Sequence, residues 1–121
     1  MQQVIDLDAA SVSLERRLPL WRATGLAVGS PTWADGQTTV HEVTTERNRV
    51  RGDYSMGIQI SRSAAEGMVV LYAGGWCDFE YWSGEADDEP LLEAPGWDEP
   101  LDILGFERVL DRFESLFLHR G

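Results

Sequence analysis

The stretch Met68-Val-Val-Leu-Tyr-Ala-Gly-Gly-Trp-Cys-Asp-Phe-Glu-Tyr-Trp82 reads as two antiparallel strands and the turn between them. Met68 to Tyr72 is an apolar, partly β-branched run, and Trp76 to Trp82 is an alternating aromatic one. Between them Ala73, Gly74 and Gly75 permit the positive φ angles that a tight hairpin turn demands. Side chains alternate along an extended chain, so Cys77, Phe79 and Tyr81 share one face of the second strand. Trp76, Asp78, Glu80 and Trp82 share the other. The first face is expected to be buried. The second is expected to see solvent, because two carboxylates without a nearby base are costly to bury.

Working upstream, Tyr54 to Ser61 alternates cleanly, with Met56, Ile58 and Ile60 on one face, and reads as a further strand. Thr45 to Asp53, with three arginines and Gly52, reads as a polar loop. Thr38 to Thr45 reads as an edge strand, and an open edge there would allow pairing with a second copy of the chain. Ser30-Pro31 and Asp35-Gly36 mark turns after a short apolar strand at Leu26 to Val28. The first periodic segment, about Asp8 to Thr24, is helical, with Val12, Leu14, Leu18 and Trp21 near one stripe. Asp8 is its expected N-cap and Gly25 its stop. Pro19 removes a hydrogen bond inside it at a cost of ~3 kcal/mol, which predicts a kink or two pieces.

Downstream, Ser83 to Pro100 reads as an acidic, proline-bearing loop. Helical spacing then returns in Ile103, Phe106, Leu110, Phe113 and Phe117, with Val109 and Leu116 widening the stripe and Asp98 or Asp102 as cap. The order predicts an α+β fold: an antiparallel β-meander of about four to five strands, flanked by an N-terminal and a C-terminal helix packed on one face. With 121 residues, a single α+β domain over 1–121 is expected.

Composition narrows the classes. Hydrophobic residues make up 43%, too many for a disordered chain. No run of eighteen apolar residues exists to span a membrane, no signal peptide is visible at Met1 to Asp8, and the single cysteine cannot form an internal disulfide. These features predict a cytoplasmic protein.

The net charge of -11 is unevenly placed. Residues 1–51 hold six acids and six arginines, whereas residues 52–121 hold fifteen acids and four arginines. Between Asp78 and Asp102 there are ten acids and no base. Such a field repels nucleic acid and anionic membranes and steers basic partners towards it.

The residues offer little for catalysis. Zinc needs three or four suitably spaced ligands, and the chain has one cysteine with His41 and His119 far apart. Cys77 lies beside Asp78 and Glu80, which oppose the thiolate a nucleophile requires, so a small core residue is the better reading. Asp78 and Glu80 pair in principle as acid and base of a small hydrolase, with Trp76 and Trp82 to stack on a sugar. The cluster Glu85, Asp87, Asp88 and Glu89 lacks the spacing of a calcium loop and reads as solvated. No metal, cofactor or enzymatic activity is expected. Exposed aromatics beside unpaired carboxylates are the composition of a protein interface. The expected partner-binding residues are therefore Trp76, Asp78, Glu80, Trp82, Glu85, Asp87, Asp88 and Glu89. An acidic binding module or a chaperone for a secreted effector is the alternative function.

Residues Val70 to Glu85, Val-Leu-Tyr-Ala-Gly-Gly-Trp-Cys-Asp-Phe-Glu-Tyr-Trp-Ser-Gly-Glu, resemble the segment shared by the TriTu family of bacterial immunity proteins. In that family a strand ends in an aromatic residue, a small or polar residue and glycine. A second strand with a Cys-Asp-hydrophobic-Glu-like run and a Gly-Glu turn follow. Tyr72 stands where that family usually carries Trp. The element order is similar across nearly the whole chain. The resemblance implies an immunity protein that neutralises a cognate toxin of a polymorphic toxin system by direct binding, and the acidic half of the chain suits a basic toxin.

Overall fold

The structure, a computed structural model, describes residues 3–36, 43–51 and 53–118. Helix α1 (Leu7–Ala23) is followed by the short strands β1 (Ala27–Val28) and β2 (Thr32–Ala34) and a 3-10 turn at Arg47–Arg49. Strands β3 (Ser55–Arg62), β4 (Ala65–Tyr72), β5 (Trp76–Trp82) and β6 (Leu91–Glu93) come next, then helix α2 (Ile103–Leu118). The six strands form one antiparallel sheet in the order β1-β3-β4-β5-β6, with β2 pairing along the same edge of β3 as β1. The fold is α+β, as expected, with one more strand than the upper expectation. The unforeseen strands are β2 and β6. Each has three residues, too few for alternation to show, and β6 lies inside the stretch read as loop.

Asp6, not Asp8, caps α1: its carboxylate accepts from the backbone N–H groups of Asp8 and Ala9. Asp8 sits in the first turn and instead receives the Arg47 guanidinium on both oxygens, at 2.8 and 3.0 Å. That hydrogen bonding holds the Asp8 carboxyl below the ordinary aspartate range. Arg47 also donates to the carbonyls of Val50 and Arg51 and lies 4.8 Å over the Trp33 ring, so one side chain ties the 43–51 segment to α1. Pro19 does not divide the helix, which runs unbroken from Leu7 to Ala23. Pro19 and Glu15 are both exposed, so the Glu15 carbonyl, which loses its helical donor, lies on the wet side. Val12 is 47% exposed and falls outside the buried stripe. The stripe is Leu7, Ala10, Leu14, Leu18 and Trp21.

Two faces of the sheet follow from pairing register. Met56, Ile58 and Ile60 stand beside Leu71, Val69 and Gly67, which stand beside Cys77, Phe79 and Tyr81. This inner face is buried under the helices, as the alternation predicts for β3 and β5. Phe113 of α2 meets Phe79 edge-on at 5.5 Å, Phe117 meets Tyr81 at 5.0 Å, and Trp21 of α1 meets Phe113 at 6.4 Å. The Trp21 indole N–H donates to Glu114 at 2.7 Å, so this buried polar group is matched where the two helices touch. Asp102 caps α2 by accepting from the Gly105 N–H at 2.7 Å. Among the described residues no helix lies on the outer face.

Of the expected edge strand at Thr38–Thr45, residues 37–42 lie outside the described residues. Thr44 pairs with Trp33 as an isolated bridge.

Candidate functional site

The outer face is built from side chains that alternate away from the core, in four cross-strand rows. Ala34, Ser55, Tyr72 and Trp76 form the first, and Thr32, Gly57, Val70 and Asp78 the second. Gln59, Met68, Glu80 and Leu92 form the third, and Ala27, Ser61, Glu66 and Trp82 the fourth. Trp76, Asp78, Glu80 and Trp82 therefore do share one face, as the alternation predicts. Glu80 is exposed; the other three are half-buried.

The two ends of this face differ. At the first, the Tyr72 and Trp76 rings stack at 4.3 Å, Tyr54 meets Tyr72 at 5.4 Å, and Trp97 meets Trp76 edge-on at 5.0 Å. Trp97 arrives there because the Cys77 N–H donates to the Pro95 carbonyl at 2.9 Å, pulling the 94–97 turn against β5. It remains 67% exposed. The Tyr72 hydroxyl donates to Asp78 at 2.6 Å. Burial first, and the adjacent carboxylate second, push the Tyr72 pKa up, so the hydroxyl stays a donor. Asp78 is thus engaged within the protein.

At the second end lies an open groove of about 760 Å³, lined among others by Gln59, Glu66, Met68, Glu80, Trp82 and Leu92. Leu92 is 68% exposed. Glu66 and Glu80 are exposed and, among the described residues, their carboxylates take part in no ion pair or hydrogen bond. The Trp82 indole N–H donates to the Asp88 carbonyl at 3.0 Å, and the Ser83 hydroxyl to the Asp88 carboxylate at 2.6 Å. These bonds fold the acidic loop back onto the end of β5. Asp88 therefore holds the loop, whereas Glu85, Asp87 and Glu89 are exposed beside it. Of the eight residues expected to bind a partner, the structure sets Glu80 and Trp82 at the groove, with the Glu85–Glu89 acids continuing past it. Trp76 and Asp78 belong to the aromatic end.

Glu66, Met68, Leu92, Tyr72 and Trp97 join this face although the sequence reading did not select them. A signal for the first two existed. Once Tyr72 is set opposite Trp76 across the turn, Met68 must face Glu80 and Glu66 must face Trp82. Leu92 and Trp97 had no such signal, since Leu92 lies in a strand of only three residues and Trp97 in a turn.

Cys77 is fully buried, and its thiol pKa is pushed up to about 12, first by burial and then by the Asp78 charge. It is a core residue with no thiolate at neutral pH. A disulfide reagent such as dithiobis-nitrobenzoate at pH 8 is expected to leave Cys77 untouched in the folded protein and to label it at the rate of unfolding. Labelling as fast as in urea would contradict this burial. No group of His, Cys, Asp and Glu among the described residues is arranged to hold a metal ion. His41 and His119 lie outside them.

No family model, curated protein or solved structure matches this chain. No helix among the described residues is long and apolar enough to cross a membrane.

Proposed function

We propose that this chain is a binding protein, not an enzyme, which captures a basic protein partner on the outer face of its sheet. The partner that best fits is a bacterial toxin that the chain neutralises in the cytoplasm by covering its working surface. One observation carries the reading: exposed aromatic and aliphatic side chains share an uncovered sheet face with carboxylates that have no cation beside them. Among the described residues the arginines are elsewhere. Arg16, Arg17 and Arg22 lie on α1, Arg108 and Arg112 on α2, and Arg47, Arg49 and Arg51 in the segment docked on α1. Arg62 turns to the Phe117 carbonyl of α2. The molecule thus presents one acidic, partly apolar side, which suits a basic surface of the kind that holds nucleic-acid phosphates. The similarity of residues 70–85 to the TriTu immunity segment favours a toxin as that partner.

The test is capture of the toxin encoded beside this chain, followed by neutralisation of the exposed acids. Combining Glu80→Gln, Glu85→Gln, Asp87→Asn and Glu89→Gln is expected to weaken the complex by about tenfold or more and to flatten its salt dependence. Failure to form any complex at micromolar concentration, or a complex indifferent to salt, would overturn the proposal. The exposed Leu92 and Trp97 favour one second reading, a chaperone for a secreted effector. Its complex would survive that quadruple substitution and fail on Leu92→Ser with Trp97→Ser.

A further inference from the structure

We infer that the groove at the Glu66–Trp82 end of the outer face receives an arginine side chain of the protein partner, its guanidinium over the Trp82 indole and between Glu66 and Glu80. This inference rests on the binding reading above and names the chemical group that the site takes. Glu66 faces Trp82 across the ladder, and Met68 faces Glu80, so the two glutamates are diagonal neighbours on adjacent strands. Such neighbours lie about 7–8 Å apart, within reach of one planar guanidinium that has donors on two edges.

The two carboxylates differ from others in the molecule. Asp8, Glu93 and Asp111 each hold an arginine. Glu107 and Glu114 accept from Ser13 and Trp21, and Asp78 accepts from Tyr72. Glu66 and Glu80 line the groove with like charge and, among the described residues, no counter-ion. Like charges on adjacent strands repel, and a cation between them removes that repulsion.

The rest of the groove suits arginine more than lysine. Trp82 is held by its bond to the Asp88 carbonyl, so an aromatic wall is already fixed for a guanidinium to stack on. Met68 and Leu92 supply apolar surface for the methylene stem. An ammonium is a compact, strongly hydrated point charge and does not span two separated carboxylates.

The probe is the blocked peptide acetyl-Gly-Arg-Gly-amide, titrated into the full chain and followed by nitrogen–proton NMR, with its citrulline counterpart as the neutral isostere. The Trp82 indole signal is assigned from its loss in Trp82→Phe. The arginine peptide is expected to shift the Trp82 indole and the backbone amides of Glu66 and Glu80. Citrulline should leave them in place, and Glu66→Gln with Glu80→Gln should weaken the effect by about tenfold or more. The other tryptophan indole signals report that this isosteric double variant keeps its fold. Equal shifts with citrulline, no shift with arginine, shifts confined to the 85–89 loop, or an unaltered response in the double variant would each overturn the arginine assignment. Should the toxin still be captured and still depend on the loop acids in that case, the binding proposal stands without it. If the wild-type chain captures no toxin while the peptide binds as expected, the binding proposal is the one that falls.

Discussion

Replacing Phe113 with alanine is expected to lower the free energy of unfolding by ~3–5 kcal/mol, more than any single change on the outer face. Phe113 is completely buried, and its ring is shared by three elements. It meets Trp21 of α1, Phe79 of β5 and Phe117 of its own helix, all edge-on, with centroids at 6.4, 5.5 and 5.3 Å. Truncation removes the transfer free energy of the ring and leaves a cavity that neither the sheet nor α1 can close without losing its other contacts. A domain of ordinary stability has ~5–15 kcal/mol in total, so the variant should melt about 10 °C lower or more, or fail to fold. Thermal and urea unfolding followed by circular dichroism measure this. Leu92→Ala, at a residue 68% exposed, is the control and should change stability by about 0.5 kcal/mol or less. A Phe113→Ala loss as small as the control's would mean that α2 does not pack as described.

The second large effect is expected at Gly67, from the addition of one methyl group. A Cβ built there lies 2.7 Å from Phe113 Cε1 and 2.8 Å from the Glu80 backbone oxygen. Gly67 faces the inner side of the sheet, opposite Ile60 and Tyr81, and there Phe113 of α2 comes close to the β4 backbone. Phe113 is held on its other sides and the Glu80 carbonyl belongs to the neighbouring strand, so neither retreats freely. Gly67→Ala should therefore cost about 1–3 kcal/mol, although alanine suits an extended chain better than glycine does. Repeating the substitution in a Phe113→Leu background separates the causes. Relief of the ring contact makes the second loss smaller than the first, because residues in contact couple. Additive losses would assign the cost to the strand backbone alone.

Gly67 also marks a limit of local reading. The apolar run begins at Met68, so the strand is expected to begin there, yet β4 starts at Ala65. Glu66 and Gly67 carry no β signal of their own and are extended because β3 and β5 pair on both sides of them. The same effect placed Glu66 at the groove. Val12 fails for a related reason. It is apolar and near the helical stripe, but the stripe that meets α2 and the sheet is set by Leu7, Ala10 and Leu14. Asp6 takes the cap because α1 begins at Leu7, which leaves the Asp8 carboxylate in the first turn, where Arg47, 39 residues away, engages it.

The outer face of the sheet shows the same division. Alternation along β5 is enough to put Trp76, Asp78, Glu80 and Trp82 on one side, where Glu80 is exposed and the other three are half-buried. It could not distinguish among the four. Tyr72 takes up Asp78 and stacks on Trp76, while the groove around Glu80 and Trp82 stays open.

Residue order alone thus settles the α+β class, the central hairpin with its buried and wet faces, the amphipathic α2 and the acidic second half. Each depends on periodicity or charge within a few neighbouring residues. Tertiary structure decides the partners across strands: which acid is bonded and which is left bare, where Trp97 comes to rest, and which glycine must lack a side chain. Those outcomes depend on pairing register and on the helices choosing one face of the sheet. Both are set by burial summed over distant segments, and no single stretch of the chain contains that sum.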